Sequence, residues 1–244
     1  MSECACKENK GFFNGYFWAI FSSSFVIGNI IGAVVLQNGC KKSSLFLIFA
    51  ALAVVGSLLM CFLRKPELQQ QSEDEAEAET EEKRPLESIK DTFKLLINKK
   101  MLGLVPLMIW SGLSMAVYAG IFIPLMIRTM NSTLSPLSQN QQSAKALYTF
   151  SLLGVGEIVG GVLFIGPIRD RFGNKTAYSI QSLLTIVAIS LVLIYSHQNT
   201  FSFLAYLMCF FWGLQDSGLN TLIYCVLGFE FEDKSTPFAV FKFT

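Results

Sequence analysis

Charge is scarce in this 244-residue chain: Asp, Glu, Lys and Arg together make up 15% of it, and there is one histidine. A formal net charge of +1 offers no basic surface for nucleic acid. The six cysteines stand at positions 4, 6, 40, 61, 209 and 225, in no metal-ligand spacing, and His197 has no second ligand nearby, so neither a metal nor a cofactor is expected. A phosphate-binding loop, an H-E-x-x-H helix and a nucleophile elbow are all missing, so no enzyme is expected. Strict two-residue alternation is missing too, which argues against a membrane β-barrel. What remains in excess is apolar surface. Hydrophobic residues reach 52%, with 22 phenylalanines, more than a soluble domain of this length needs for its core.

That surface falls into six runs, from about Gly11 to Gln37, Leu45 to Leu63, Met101 to Ile127, Ala146 to Ile168, Thr176 to Ser196 and Phe201 to Leu227. About 20 apolar residues in helical form cross the roughly 30 Å hydrocarbon layer, so each run is long enough to span a lipid bilayer. The fold class expected is therefore all-α, a polytopic membrane protein with six transmembrane helices. The first run is too long for a signal-peptide core and lacks a clear cleavage site, so it reads as a retained helix.

Lys and Arg set the orientation. Fifteen fall on one side of the six spans and four, Lys41, Lys42, Arg128 and Lys145, on the other. Both termini are therefore expected in the cytosol. Asn131, in the triplet Asn131-Ser132-Thr133, faces outward as a glycosylation candidate. Between residues 64 and 100 lies a linker with seven carboxylates from Glu73 to Glu82, too self-repelling to pack and expected to be a spacer. After Pro85, Leu86, Ile89, Phe93 and Ile97 recur at helical spacing, as on an amphipathic helix at the inner membrane face or on a cytosolic extension of the third span. Cys4 and Cys6 can take a lipid or remain free thiols.

The loop GPIRDRFGNK, residues 166–175, carries Gly166, Arg169, Asp170, Arg171, Gly173 and Lys175 between two apolar runs. It resembles the G-x-x-x-D-R-x-G-R-K loop of the major facilitator superfamily, in the weaker form found between helices eight and nine. A narrower resemblance comes from WGLQDSGLNTLIYCVLGFEFEDKSTPFAVFKF, residues 212–243, and GFFNGYFWAIFSSSFVIGNIIGA, residues 11–33. Both are similar to stretches of the uncoordinated-93-like proteins, a branch described as ion channel regulatory proteins. Two departures stand out: Ser22 and Leu222 occupy positions where that branch carries glutamine. The resemblance implies that the spans correspond to helices five to ten of twelve, so that the chain is expected to be a fragment. Residues 1–63 would then end the N-terminal half, 64–100 form the acidic central loop, and 101–244 begin the C-terminal half. It also implies a role for Asp170, whose carboxylate would meet the N-terminal end of the helix starting near Gly11, where unpaired N–H groups favour an anion. Gly166 and Gly173 would suit a tight turn.

Several polar residues interrupt the apolar runs. Asp216 and Asn220, four apart and thus on one helix face, can bind a polar ligand, sense a proton or join two helices. Glu157 sits among Gly154, Gly156, Gly160 and Gly161, where a close neighbouring helix can supply its partner or bury its neutral form. Asn29 is a weaker candidate for lining a cavity. Ser24, Gly28 and Gly32, like Gly156 and Gly160, read first as helix-packing positions.

Two function classes follow. The resemblance implies a non-transporting subunit that regulates a channel or another membrane protein. The alternative is a secondary transporter of a small solute, and a truncated product without activity is a third reading. Expression in microsomal membranes tests the orientation: Asn131→Gln should remove a glycan-dependent mobility shift, whereas Asn174→Gln, in the triplet Asn174-Lys175-Thr176 expected on the cytosolic side, should leave it intact.

Overall fold

A computed structural model of the protein describes residues 10–62, 95, 97–133, 137–229 and 240–241. The acidic linker, Cys4 and Cys6, most of the amphipathic segment and most of the block from 230 onward lie outside the described residues. Among those described, the architecture is all-helical with no strand. The long elements are α1 (Lys10–Gln37) and α2 (Lys42–Met60), then a short α3 (Lys99–Leu102) leading into α4 (Val105–Val117) and α5 (Ile123–Thr133), and finally α6 (Gln139–Ile158), α7 (Gly166–Gln198) and α8 (Phe203–Phe229).

Local chemistry explains the boundaries. Pro106 occupies the first turn of α4, where its missing N–H is not needed. A π-helical turn, Tyr118–Phe122, joins α4 to α5 just before Pro124; proline cannot donate to the carbonyl one turn back, and a wider turn absorbs that loss. The α6 helix begins seven residues earlier than the apolar run suggests. Ser138 and Gln141 form a reciprocal capping box there, Ser138 Oγ accepting from the Gln141 N–H, and this starts the helix inside polar sequence. At its other end α7 stops on Asn199 in the left-handed region (φ 48°), a conformation that asparagine tolerates.

Residues 166–172 also differ from the expected turn. Gly166 is helical (φ −56°), the segment continues as helix through Phe172, and only Gly173 breaks it, with φ 81° and ψ 174°. The chain reverses at that glycine. Ile165 and Gln181 both lie against Gly218 of α8, although sixteen residues of unbroken helix would hold them about 24 Å apart.

Among the described residues, four stretches are long and apolar enough to cross a membrane: Phe12–Gln37, Ser43–Met60, Val105–Thr133 and Gln139–Gln198, the last folded back at Gly173. The 27-residue α8 falls short of that apolar standard because Gln215, Asp216 and Asn220 sit in its middle. It is also the most enclosed helix: every residue from Trp212 to Ile223 is buried. By contrast, none of α2 from Ser43 to Met60 is buried, and Phe46, Leu47, Leu59 and Met60 present large apolar side chains outward.

The centre of the bundle is the junction of α1, α8 and α6 with the π-helical turn Val159–Ile165 that continues it, where backbones touch. A Cβ at Gly15 would overlap the Gly161 carbonyl, one at Gly156 the Phe210 carbonyl, one at Gly160 the Leu214 carbonyl, and one at Gly213 the Leu153 carbonyl. Gly156 and Gly160 thus stand at close helix contacts. Gly32 meets Leu147 and Leu45. Gly28 and Ser24 do not share that role. Gly28 has open space around its Cβ position, and Ser24 is exposed with its hydroxyl bonded back to Phe21. The packing stripe of α1 is instead Gly15, Ala19 and Ser22, all buried, at helical three-and-four spacing. Around the junction an aromatic cluster fills the space between helices: Phe25–Phe150 at 5.2 Å and Phe122–Trp212 at 5.1 Å, both edge to face.

Gly213→Ala should therefore destabilise the protein by about 1 to 3 kcal/mol through overpacking, read as a lower melting temperature in detergent. Gly28→Ala, with free space to fill, should stay within about 0.5 kcal/mol of the parent.

Candidate functional site

A polar network ties α4, α7 and α8 together inside the bundle. The Ser114 hydroxyl donates to Asp216 Oδ1 at 2.6 Å, and Gln215 Nε2 in turn donates to Ser114 Oγ at 2.9 Å. On the other carboxylate oxygen, Asn220 Nδ2 donates to Asp216 Oδ2 at 3.2 Å, while Asn220 Oδ1 accepts from the Ser111 hydroxyl at 2.9 Å. From α7, Gln181 Nε2 donates to the Gln215 carbonyl at 2.6 Å and the Thr185 hydroxyl to Gln215 Oε1 at 3.3 Å. Every one of these side chains except Thr185 is buried. Both Asp216 oxygens accept, which suits an acceptor-only carboxylate. Interhelical bonds of this kind stabilise membrane bundles by about 0.6 kcal/mol each on average, and up to about 1.7.

Glu157 occupies a different setting. It lies on α6, 7% exposed, with Ser22 of α1 beside it, although the Ser22 hydroxyl makes no hydrogen bond of good geometry. The Glu157 and Asp216 carboxylates are within electrostatic reach of each other, and the Tyr118 hydroxyl is within reach of both. The structure thus brings Asp216, Asn220 and Glu157 to one region. Asn29 does not join them: its amide donates to the Phe25 carbonyl of its own helix at 2.9 Å.

At the far end of α1 lies the charged segment. The Phe12 N–H, in the first turn of α1, donates to Asp170 Oδ2 at 2.9 Å, so a carboxylate meets a helix start where N–H groups lack intrahelical partners. Arg169 Nη1 stands 3.9 Å from Asp170 Oδ1, and the rest of its guanidinium is buried without an acceptor. Arg171 turns away, its guanidinium 5.6 Å from the Phe172 ring centre. Lys175 is exposed. Asn131 is exposed in the last turn of α5, its Oδ1 accepting from Gln142 Nε2 at 2.7 Å.

Sequence reasoning missed the partners: Ser111, Ser114, Gln181, Gln215 and Tyr118. A signal existed for two of them, since Ser111 and Ser114 are three apart on one face of an apolar run, but serine bonds back to its own helix so readily that spacing alone names no partner. The two departures from the resembled pattern also differ in kind. Leu222 is buried in one apolar cluster with Ile165, Ala177, Leu184 and Leu214, whereas the buried Ser22 hydroxyl makes no hydrogen bond of good geometry.

Removing the Ser114 hydroxyl would leave both Gln215 Nε2 and Asp216 Oδ1 without that partner. In a double-mutant cycle of Ser114→Ala and Asp216→Asn, unfolding in mixed micelles should give a coupling energy of about 0.5 to 1.7 kcal/mol; additive effects would mean that the bond carries no stability.

Comparison with known proteins places the chain among membrane relatives. A family model described as "Ion channel regulatory protein UNC-93" matches residues 1–244. The UNC93-like protein MFSD11 of Xenopus tropicalis is 27% identical over 94% of this chain and 58% of its own length, and that of Xenopus laevis is 26% identical over 97% and 60%. UNC93-like protein 3 of Arabidopsis thaliana is 31% identical over 43% of the chain and 24% of its own length. The chain spans about three fifths of the length of the curated MFSD11 relatives it matches. No solved structure matches it.

Proposed function

Since the chain belongs to the UNC-93 family, we propose that this multi-pass membrane protein regulates an ion channel or another membrane protein and does not itself carry a solute. The observation that supports this reading most is the state of the intramembrane polar groups. Asp216 and Asn220 are bonded to Ser114 and Ser111 across helices, and Asn29 is turned onto its own backbone. A solute path needs such groups to converge on a shared lumen. Here most of them serve as interhelical ties.

In this reading, residues 1–63 and 101–244 contribute to two halves of a facilitator-type fold, with 64–100 as a cytosolic connector and both termini in the cytosol. The bond from Phe12 to Asp170 would fasten one half to the other at the cytosolic face. A regulatory subunit benefits from such a fastening because a partner then meets a fixed surface. The bare apolar face of α2 would be covered by lipid or by a partner's helices.

A solute carrier is the second reading, favoured by Glu157 and Asp216 lying within electrostatic reach in mid-bundle. Two measurements separate the readings. Whole-cell recording should show that co-expression with a channel alters the channel's current, while proteoliposomes holding the chain alone show no saturable uptake. Saturable uptake by the purified chain would overturn the regulatory reading.

A further inference from the structure

Carboxylates are missing from one end of this chain. The three stretches at the end expected to face away from the cytosol, 38–44, 128–145 and 197–202, hold Lys41, Lys42, Arg128, Lys145 and His197 and not one Asp or Glu. Lys145 stands apart by its setting. Lys41, Arg128 and His197 are exposed, whereas Lys145 is half-buried on α6, its ammonium 4.7 Å from the centre of the Phe201 ring. The segment carrying that ring is tied to the end of α5, the Phe201 N–H donating to Thr133 Oγ1 at 3.1 Å and the Ser132 hydroxyl to the Asn199 carbonyl at 2.7 Å. An aromatic face is a weaker partner for an ammonium than an anionic oxygen.

Beside Lys145 lies a cavity of about 320 Å³ between the last turn of α1 and the first turns of α6, lined by Gln37, Leu137, Gln141, Ala144, Lys145 and Tyr148. Its volume falls within the range of about 300 to 1,000 Å³ usual for small-molecule sites. Ala144 shares an apolar cluster with Ala33 and Leu36 of α1, so the two helices are held together there. The polar groups of the wall divide unevenly. The Tyr148 hydroxyl donates to Gln37 Oε1 at 3.0 Å, and the Ser138 N–H to Gln141 Oε1 at 3.0 Å, so both amide oxygens are already engaged. What remains is the NH₂ group of each glutamine and the Lys145 ammonium, and these only donate. The cavity therefore offers donors and one positive charge, with no carboxylate to answer them.

We propose that this cavity binds a phosphate monoester, Lys145 meeting its charge and the Gln37 and Gln141 amide groups donating to its oxygens. Such a group carries three strong acceptor oxygens and a charge of about −1.5 to −2 near neutral pH, which gives each of the three donor groups an acceptor; a carboxylate has only two oxygens. Lysine binds phosphate as a compact point charge. Two sources present this chemistry, the headgroup of a lipid at the membrane surface and a phosphate ester in solution. The site does not depend on the regulatory reading, and its test needs neither a partner protein nor solute flux.

The experiment titrates the purified chain in detergent by native mass spectrometry. The probes are phosphatidic acid, diacylglycerol, which lacks only the phosphate, and glycerol phosphate and acetate in solution. Saturable binding of a phosphate ester is expected: binding of glycerol phosphate places the source in solution, and binding of phosphatidic acid alone places it in the bilayer. Lys145→Gln should weaken that binding about tenfold. Gln37→Glu and Gln141→Glu should weaken it by about the same factor, because each keeps an oxygen for Tyr148 or the Ser138 N–H while replacing a donor by a negative charge. Lys41→Gln, outside the cavity, should bind like the parent. If Lys145→Gln fails to fold, the two glutamine variants decide the matter. Failure of both esters to saturate, diacylglycerol or acetate binding as well as the esters, or cavity variants that match the parent would each overturn the proposal.

Discussion

Backbone contact among α1, α6 and α8 is the constraint on which the rest of the structure depends. Where apolar side chains gain little from meeting each other instead of lipid, helices hold together through close packing and polar bonds. Gly15, Gly156, Gly160, Gly161 and Gly213 let three helices approach until carbonyl oxygens occupy the space a side chain would need. That approach encloses α8, and enclosure permits Gln215, Asp216 and Asn220 to stand in the middle of a membrane helix. In lipid those residues would be strongly disfavoured. Inside the bundle, Ser111 and Ser114 of α4 and Thr185 of α7 bond their side chains.

The same geometry sorts the polar groups into two kinds. On the α4 and α7 side of α8, Ser111, Ser114, Gln215, Asp216 and Asn220 bond one another across helices, while Gln181 Oε1 and the indole N–H groups of Trp110 and Trp212 have no partner. Between α1, α6 and α8 the hydroxyls of Ser22, Ser217 and Thr221 make no hydrogen bond of good geometry.

Far from that centre, Asp170 links the chain's early and late parts through the Phe12 N–H, 158 residues away in sequence. Its position follows from Gly173, whose positive φ stops the helix and reverses the chain. With that reversal α7 runs back along α8, and Gln181 and Thr185 come within reach of Gln215. One glycine thus bears on both the charged end and the buried network.

Much of the fold was legible in the residues. Apolar run length fixed the number and rough extent of the helices, because crossing a bilayer sets a length that sequence displays directly. Charge asymmetry gave an expected orientation, and the spacing in GPIRDRFGNK brought Asp170 into view. Partners were not legible. Whether Ser114 bonds its own helix or Asp216, whether Gly28 or Gly15 marks the contact face, and whether Asn29 points inward are matters of helix rotation. A period of 3.6 residues leaves several faces of nearly equal apolar content on a helix such as α1. The sequence by itself determined that helices form and roughly where each apolar stretch lies, since propensity and hydropathy act locally, although α6 starts seven residues before its run and residues 166–172 are helical where a turn was expected. Only the tertiary structure decided which faces meet, because that choice minimises overlap and unpaired polar groups across all helices at once, a condition that no single segment contains.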